Sequence, residues 1–407
     1  MQSFMEETKS YEVIPFTWPK GYKADGVHAG LRKNPEKKDM GWLYSEVPAQ
    51  AAGTYTTNQF QAAPTKLTKD TINQDHLLQA MVMNTAVANS VTGEQGMIDA
   101  KQMQKLAADK LEISSDLVGV ASTGLIGELL PMPTIAKGIS QLQLLDNDYV
   151  TEAVLTTDKH TKTITTQLTI DGKVVTISGF CKGSGMIHPK MATMLGFVVT
   201  DAKIADGELQ AMLSEEVDST FNQITVDGDT STNDMVVTMA NGLAGNTPIT
   251  NDGGEDYQTF ITAYNAVLSQ LAQDIAGDGE GSTKLVEVNV ENAATHADAQ
   301  KVAKAIVGSN LVKAAIFGED ANWGRIIAAI GQTDAQIDVE HTSVWLNDLP
   351  LVDNSRSADF DEAEMKQALK NNKVTILVDL NSGIASGQAW GCDLTYNYVR
   401  INATYRS

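Results

Sequence analysis

Two β-rich runs, Thr163 to Ile170 and Lys173 to Phe180, are separated by the dipeptide Asp171-Gly172. Aspartate-glycine between such runs is a strong hairpin signal, because the tight turn needs positive φ at both central positions. The second run leads straight into Lys182-Gly-Ser-Gly-Met-Ile-His-Pro-Lys-Met-Ala-Thr193, then Met194-Leu-Gly-Phe197 and further apolar residues. No other stretch constrains the chain as strongly. A hairpin must hand over to a loop broken by glycine and proline, and an apolar strand must leave from Thr193. Small residues in such a loop let backbone amides approach a ligand closely.

Thr193 itself has two readings. The ordinary one is a β-former at the start of a buried strand. The sharper one is a nucleophile exposed by cutting the Ala192–Thr193 bond, with its own α-amine as general base. An α-amine titrates near 7.7–8, close to working pH, which suits a proton carrier. Spacing alone does not choose between them.

The sixteen-residue block as a whole resembles the signature of the ornithine acetyltransferases, also called glutamate N-acetyltransferases. These enzymes cut themselves before the threonine of a Lys-Gly-Ser-Gly-Met-Ile…Pro…Met-Ala-Thr motif. The resemblance implies an α/β fold, a sandwich of β-sheets between helices, made of two fragments from one precursor: residues 1–192 and 193–407. It implies that Thr193 is both the catalytic nucleophile and part of the substrate site.

Composition agrees with an enzyme of that kind. Acidic residues outnumber basic ones 51 to 30, a formal charge of −21. Such a chain repels nucleic acid and anionic membranes, so neither is expected as a partner. At 407 residues it is long enough for two or three structural units. Two cysteines, Cys181 and Cys392, are too few for a disulfide framework and fit a reducing cytosol. Cys181, near the motif, reads as a small core residue. Glu6, Glu7 and Lys9 interrupt the start, so no secretory signal is expected there, and no apolar run is long enough to span a bilayer. Histidines and cysteines show no metal-ligand spacing, and neither a P-loop nor a dinucleotide fingerprint is present. A cytoplasmic protein needing no metal and no cofactor is the expectation.

Taken in order, Phe16 to Pro64 reads as short strands and loops. Met103, Leu106, Ala107 and Leu111 give a helical stripe. Ala121-Ser-Thr-Gly-Leu-Ile-Gly-Glu128 is by itself a turn after an apolar run. In the family this segment supplies the oxyanion hole, which makes Thr123 and Gly124 catalytic candidates; a glycine amide and a hydroxyl can aim donors at the developing charge. Thr156-Thr157-Asp158 is a polar turn as bare sequence, and the family places a substrate-binding threonine there, best matched by Thr156. Lys159-His160-Thr161-Lys162 departs from the usual continuation, in which proline precedes the lysine.

Beyond the cut, Leu209, Met212, Leu213, Val217 and Phe221 form an amphipathic stripe. Asn222 to Asp234 alternates acids and amides like a calcium loop, but its glycine and final glutamate are misplaced, so a tight polar loop is expected. Ile261 to Ile275 is helical, stopped by Gly277-Asp-Gly-Glu280-Gly-Ser. The family uses the corresponding glutamate, Glu280, to hold substrate. Val286, Val288 and Val290 alternate as a strand, Leu311 to Phe317 reads as an apolar strand, Asp361 to Leu369 as a helix, and Val374 to Leu380 as a strand. Ala321 stands where relatives usually carry proline. The aromatic and apolar C-terminal run, with Tyr398 and Tyr405, implies a packed terminal strand rather than a frayed tail. The family has a buried C-terminus there, with Asn402 and Ser407 at the substrate. One departure is Asn84-Thr-Ala-Val-Ala-Asn-Ser90, where the family more often has Asn-Ser-Gly-Asn-Ala-Asn; losing the glycine puts that loop's geometry in question.

The implied reaction is ping-pong transfer of acetyl from N2-acetylornithine to glutamate in arginine biosynthesis, with Lys182 as the natural partner of the α-carboxylate that both amino acids share. Acetyl-CoA is an open second donor that divides bifunctional from monofunctional members. The family pairs two cleaved units as α2β2. Two other readings stand beside this one: an N-terminal-nucleophile aminopeptidase or amidase, in which water replaces glutamate, and an uncleaved amino-acid-binding protein.

Overall fold

The computed structural model describes residues 10–188 and 194–404. Ala192, Thr193, Tyr405 and Ser407 lie outside the described residues. Among those described, nine strands form one large sheet: β1 (Tyr11–Ile14), β2 (Tyr22–Val27), β3 (Met40–Tyr55), β4 (Leu77–Asn84), β5 (Val118–Ser122), β6 (Lys162–Ile170), β7 (Lys173–Lys182), β8 (Leu195–Thr200) and β9 (Met235–Ala240). Their order is β1-β6-β7-β8-β9-β3-β4-β5, with β2 paired to β3. The expected hairpin is there: β6 and β7 pair antiparallel, and Asp171 and Gly172 have φ of 49° and 68°. β8 then lies between β7 and β9, antiparallel to the first and parallel to the second. A sheet that alternates pieces from both sides of residue 192 cannot form from either side alone.

The second sheet has β10 (Leu285–Ala293), β11 (Ser343–Leu346), β12 (Leu349–Asp353), β13 (Arg356–Ser357), β14 (Lys373–Asp379) and β15 (Ala385–Cys392), in the order β13-β12-β11-β14-β10-β15. Helices cover both sheets. Glu208–Ser219 and Glu255–Gly277 pack on the large sheet, burying Met212, Leu213, Phe260, Leu268 and Ile275 with Ile177 and Val198. Phe180 and Phe197 point to the opposite face, where they meet Trp18 and Val150. This alternation is what period-two strands require when both faces are covered. His296–Gly308 covers the second sheet at Val286, Val288 and Val290.

Three expectations are corrected. Leu311 to Phe317 belongs to a helix, Asn310–Phe317, whose cap is the Ser309 hydroxyl accepting from the Val312 N–H. Its buried residues, Val312, Lys313, Ala315 and Ile316, keep one face inward, and periodicity cannot separate so short an apolar run from a strand. The C-terminal segment is a helix, Tyr396–Ala403, capped by Thr395, and no residue in it is buried: Tyr396 is 86% and Val399 65% exposed. Local capping and docking through polar side chains, not burial, hold it. Finally, Phe16 to Pro64 contains the sixteen-residue β3, bent by a register shift between Tyr44 and Ala49.

Candidate active site

Six residues singled out above, Thr123, Gly124, Thr156, Lys182, Glu280 and Asn402, line one cavity of about 500 Å3. Met194 and Leu195, at the start of β8, line it too. These residues come from six separate stretches of the chain, which therefore meet at a single space.

The segment carrying Thr123 and Gly124 follows β5. Thr123 spends its backbone N–H on the Asn84 carbonyl (3.1 Å), which leaves its hydroxyl as the group it offers. That hydroxyl accepts from the Lys182 ammonium at 3.4 Å and keeps its own proton to donate. Gly124 has φ of 133°, and a Cβ there would lie 2.2 Å from the Ala86 carbonyl carbon, so only glycine fits. Ala86 in turn has φ of 73°. It stands at the glycine that the family usually carries, and the loop has kept the left-handed turn at the cost of strain.

Lys182 closes β7 and is buried. Burial lowers its pKa below the ordinary lysine value, while the Asp158, Asp234 and Glu280 carboxylates oppose that and Lys162 adds to it. Beside it, Asp234 is buried, and its Oδ2 has no hydrogen-bond partner among the described residues. Burial raises its pKa well above the carboxylate range, against a Ser231 hydrogen bond and the Lys182 charge.

A buried network that sequence reasoning missed ties the segments together. Asp158 Oδ1 accepts from Lys162 Nζ (2.7 Å) and from the Gly183 N–H (2.7 Å); its Oδ2 accepts from the Thr156 N–H (2.9 Å). Lys162 Nζ also donates to Asp278 Oδ2 at 2.7 Å, and that oxygen accepts from the Lys159 N–H. Burial works against the Asp158 charge, but the Lys182 and Lys162 cations and these hydrogen bonds outweigh it and hold its pKa far below the usual range. Lys162 is likewise held above its ordinary value, chiefly by Asp158, despite its own burial. Thr156, Lys182 and Glu280 each lie within two residues of a group bonded in this network. Both threonines of the 156–158 turn line the cavity, and the Thr157 hydroxyl bonds the Ser184 hydroxyl at 2.7 Å.

Glu280 sits directly after the helix Glu255–Gly277. Its N–H bonds the Ser184 carbonyl, and a Cβ on Gly185 would meet its carboxylate carbon at 2.5 Å, which explains a glycine there. Its Oε2 accepts from Asn402 Nδ2 at 2.7 Å. The C-terminal helix is also held by the Tyr398 hydroxyl donating to Asp227, whose carboxylate accepts from the Met186 and Ile187 N–H groups. Thr193, Ala192 and Ser407 fall outside the described residues. Cys181 is a buried, unpaired core cysteine, as expected. Among the described residues, no helix is long and apolar enough to cross a membrane.

Residues 23–407 match the model of the ArgJ family. The arginine biosynthesis bifunctional protein ArgJ of Lactiplantibacillus plantarum is 62% identical over 397 residues, spanning 98% of both chains. That of Oceanobacillus iheyensis is 51% identical over 393 residues, 96% of each. Among solved structures, the arginine biosynthesis bifunctional protein argJ of Bacillus halodurans is 51% identical with a TM-score of 0.51, covering 52% of this chain and 100% of that one. With a family match running over most of its length, this chain belongs to the ArgJ family.

Proposed function

We propose that this protein is the ornithine acetyltransferase of an arginine biosynthetic route, moving acetyl from N2-acetylornithine to glutamate through an acetyl-threonine. The observation that carries this reading is the convergence of Thr123, Gly124, Thr156, Lys182, Glu280 and Asn402 with the start of β8 on one cavity. In the reading, a cut between Ala192 and Thr193 makes fragments 1–192 and 193–407, and the freed α-amine takes the Thr193 hydroxyl proton as Oγ attacks the acetyl carbonyl. The Thr123 hydroxyl and Gly124 N–H stabilise the oxyanion. Collapse expels ornithine, whose amine leaves with the proton. The uncharged amine of glutamate then attacks the ester, and N-acetylglutamate leaves as the Thr193 hydroxyl is restored. Lys182 holds the α-carboxylate common to both amino acids. Thr156, Glu280, Asn402 and Ser407 complete the substrate site. One amide replaces another, so no cofactor enters.

Support for the cut comes from the Bacillus halodurans match, since a chain about half this length is what cleavage before Thr193 leaves. Paired α2β2 units in the cytoplasm, and acetyl-CoA as a second donor, belong to the same reading. The test is an acetyl-transfer assay with purified protein. Ornithine should appear from N-acetylornithine only in stoichiometric amount without glutamate, and catalytically with it. Equal turnover with and without glutamate would favour the amidase reading. Repeating the assay with acetyl-CoA and glutamate decides the second donor.

A further inference from the structure

If acetylornithine and glutamate share one cavity, that cavity must accept two opposite side-chain charges, a δ-ammonium and a γ-carboxylate, beyond a common α-carboxylate. Glu280, bonded to Asn402, supplies a negative wall suited to the ammonium. Among the described residues lining that cavity, none other than Lys182 is a cation, and Lys182 is committed to the α-carboxylate in this reading.

A second space of about 300 Å3 shares Gly124, Leu125, Thr156 and Thr157 with the main cavity and is closed by Arg32 and Lys37. Both cations come from the segment 31–38, which carries Arg32, Lys33, Lys37 and Lys38 against Glu36 in a chain of net charge −21. Lys38 is occupied elsewhere, by Glu152 and the Tyr149 ring. The loop is anchored from below. Asp39, fully buried, accepts from the N–H groups of Ala29 (2.6 Å), Gly30 (3.2 Å) and Arg32 (3.0 Å). The Asp39 carbonyl accepts from the Thr85 N–H, and the next carbonyl, that of Ala86, accepts from Leu125 beside Gly124. The cationic loop and the oxyanion loop are thus fixed to one another.

We propose that Arg32 and Lys37 form the acceptor subsite that binds the glutamate γ-carboxylate, opposite a Glu280 wall that binds the ornithine δ-ammonium. This rests on the two substrates proposed above. The shared Cα and Cβ leave side-chain torsion to direct each charged end to its own wall. A γ-carboxylate gains a charge-assisted contact at the cationic rim, and a δ-ammonium is repelled from it.

The test uses full-length protein and compares wild type with Arg32→Gln/Lys37→Gln, measuring both half-reactions with glutamate and glutamine as acceptors. In the double variant, KM for glutamate should rise on the order of tenfold or more, and the preference for glutamate over glutamine should fall by a similar factor. KM for N-acetylornithine should move the other way, downward, because a repelling charge is gone. Arg32→Lys should retain most of the glutamate preference. An unchanged glutamate-to-glutamine ratio, or a parallel rise of both substrate KM values, overturns the subsite while acetylation of wild type by N-acetylornithine keeps the underlying reading intact. A wild type that N-acetylornithine does not acetylate overturns both.

Discussion

Lys162 and Lys182 stand on paired strands, one at the start of β6 and one at the end of β7, and both are buried. Lys162 lies between two carboxylates at 2.7 Å each. Lys182 faces the Thr123 hydroxyl at 3.4 Å and makes no ion pair among the described residues. A buried cation with both partners in place is architecture, because its desolvation is offset locally. A buried cation left short of partners stores an affinity for an incoming anion. The first fixes the segments carrying Thr156, Gly183 and Glu280; the second is free to take a substrate carboxylate.

That contrast is broken most directly by exchanging the two lysines for an apolar side chain. Lys162→Met strands Asp158 and Asp278 in the interior, and loss of one partner from a buried ionic cluster costs about 3–5 kcal/mol. Urea denaturation should show it as a lowered midpoint with an unchanged slope. Lys182→Met removes a charge whose burial is only partly compensated but also withdraws one of the two cations that hold Asp158, so it should cost less stability than Lys162→Met, while KM for both substrates increases. Losing a charge-assisted contact to a carboxylate is worth about 1.5–3 kcal/mol, on the order of ten- to a hundredfold. If Lys182→Met destabilised the protein as much as Lys162→Met, the two lysines would have one role.

The pH dependence sharpens the same point. In the proposed reaction substrate binding needs the Lys182 ammonium, whose pKa in the free protein is lowered by burial. Affinity should therefore be full at lower pH and decline as pH rises through that lowered pKa. Asp158 is the foremost charge holding the ammonium on. Asp158→Asn should move the decline to lower pH, whereas a residue acting by packing alone would scale KM equally at every pH. The smallest effect expected is at Ala86. Left-handed φ costs an L-residue about 1–2 kcal/mol, and glycine returns part of that as chain entropy. Ala86→Gly should stabilise by about 0.5–1 kcal/mol in the same denaturation experiment.

Much of this is legible in the sequence, and unevenly. The hairpin with its Asp171-Gly172 turn follows from local chemistry. The convergence of Thr123, Thr156, Lys182, Glu280 and Asn402 came from motif blocks, since nothing in spacing brings residue 123 to residue 402. The Asp158–Lys162–Asp278 network was not legible, because Lys162 and Asp278 are 116 residues apart and each looks like an ordinary surface charge. The helix Asn310–Phe317 was misread because a short apolar run satisfies both periods. The C-terminal helix was misread because aromatic residues suggested burial, whereas Tyr398 and Asn402 dock through polar atoms. The loss of a glycine at Ala86 put the loop's geometry in question, and the loop keeps its left-handed turn all the same, with alanine at positive φ.

The most direct measurement is the mass of the denatured protein before and after brief exposure to N-acetylornithine, with fragment sequencing. An acetyl-threonine route through Thr193 predicts two pieces, the second beginning at Thr193. It also predicts one acetyl group on that piece, carried by the Thr193 hydroxyl and removed on adding glutamate. A single intact chain that nonetheless transfers acetyl, or two pieces that transfer it without ever carrying the group on Thr193, would contradict it.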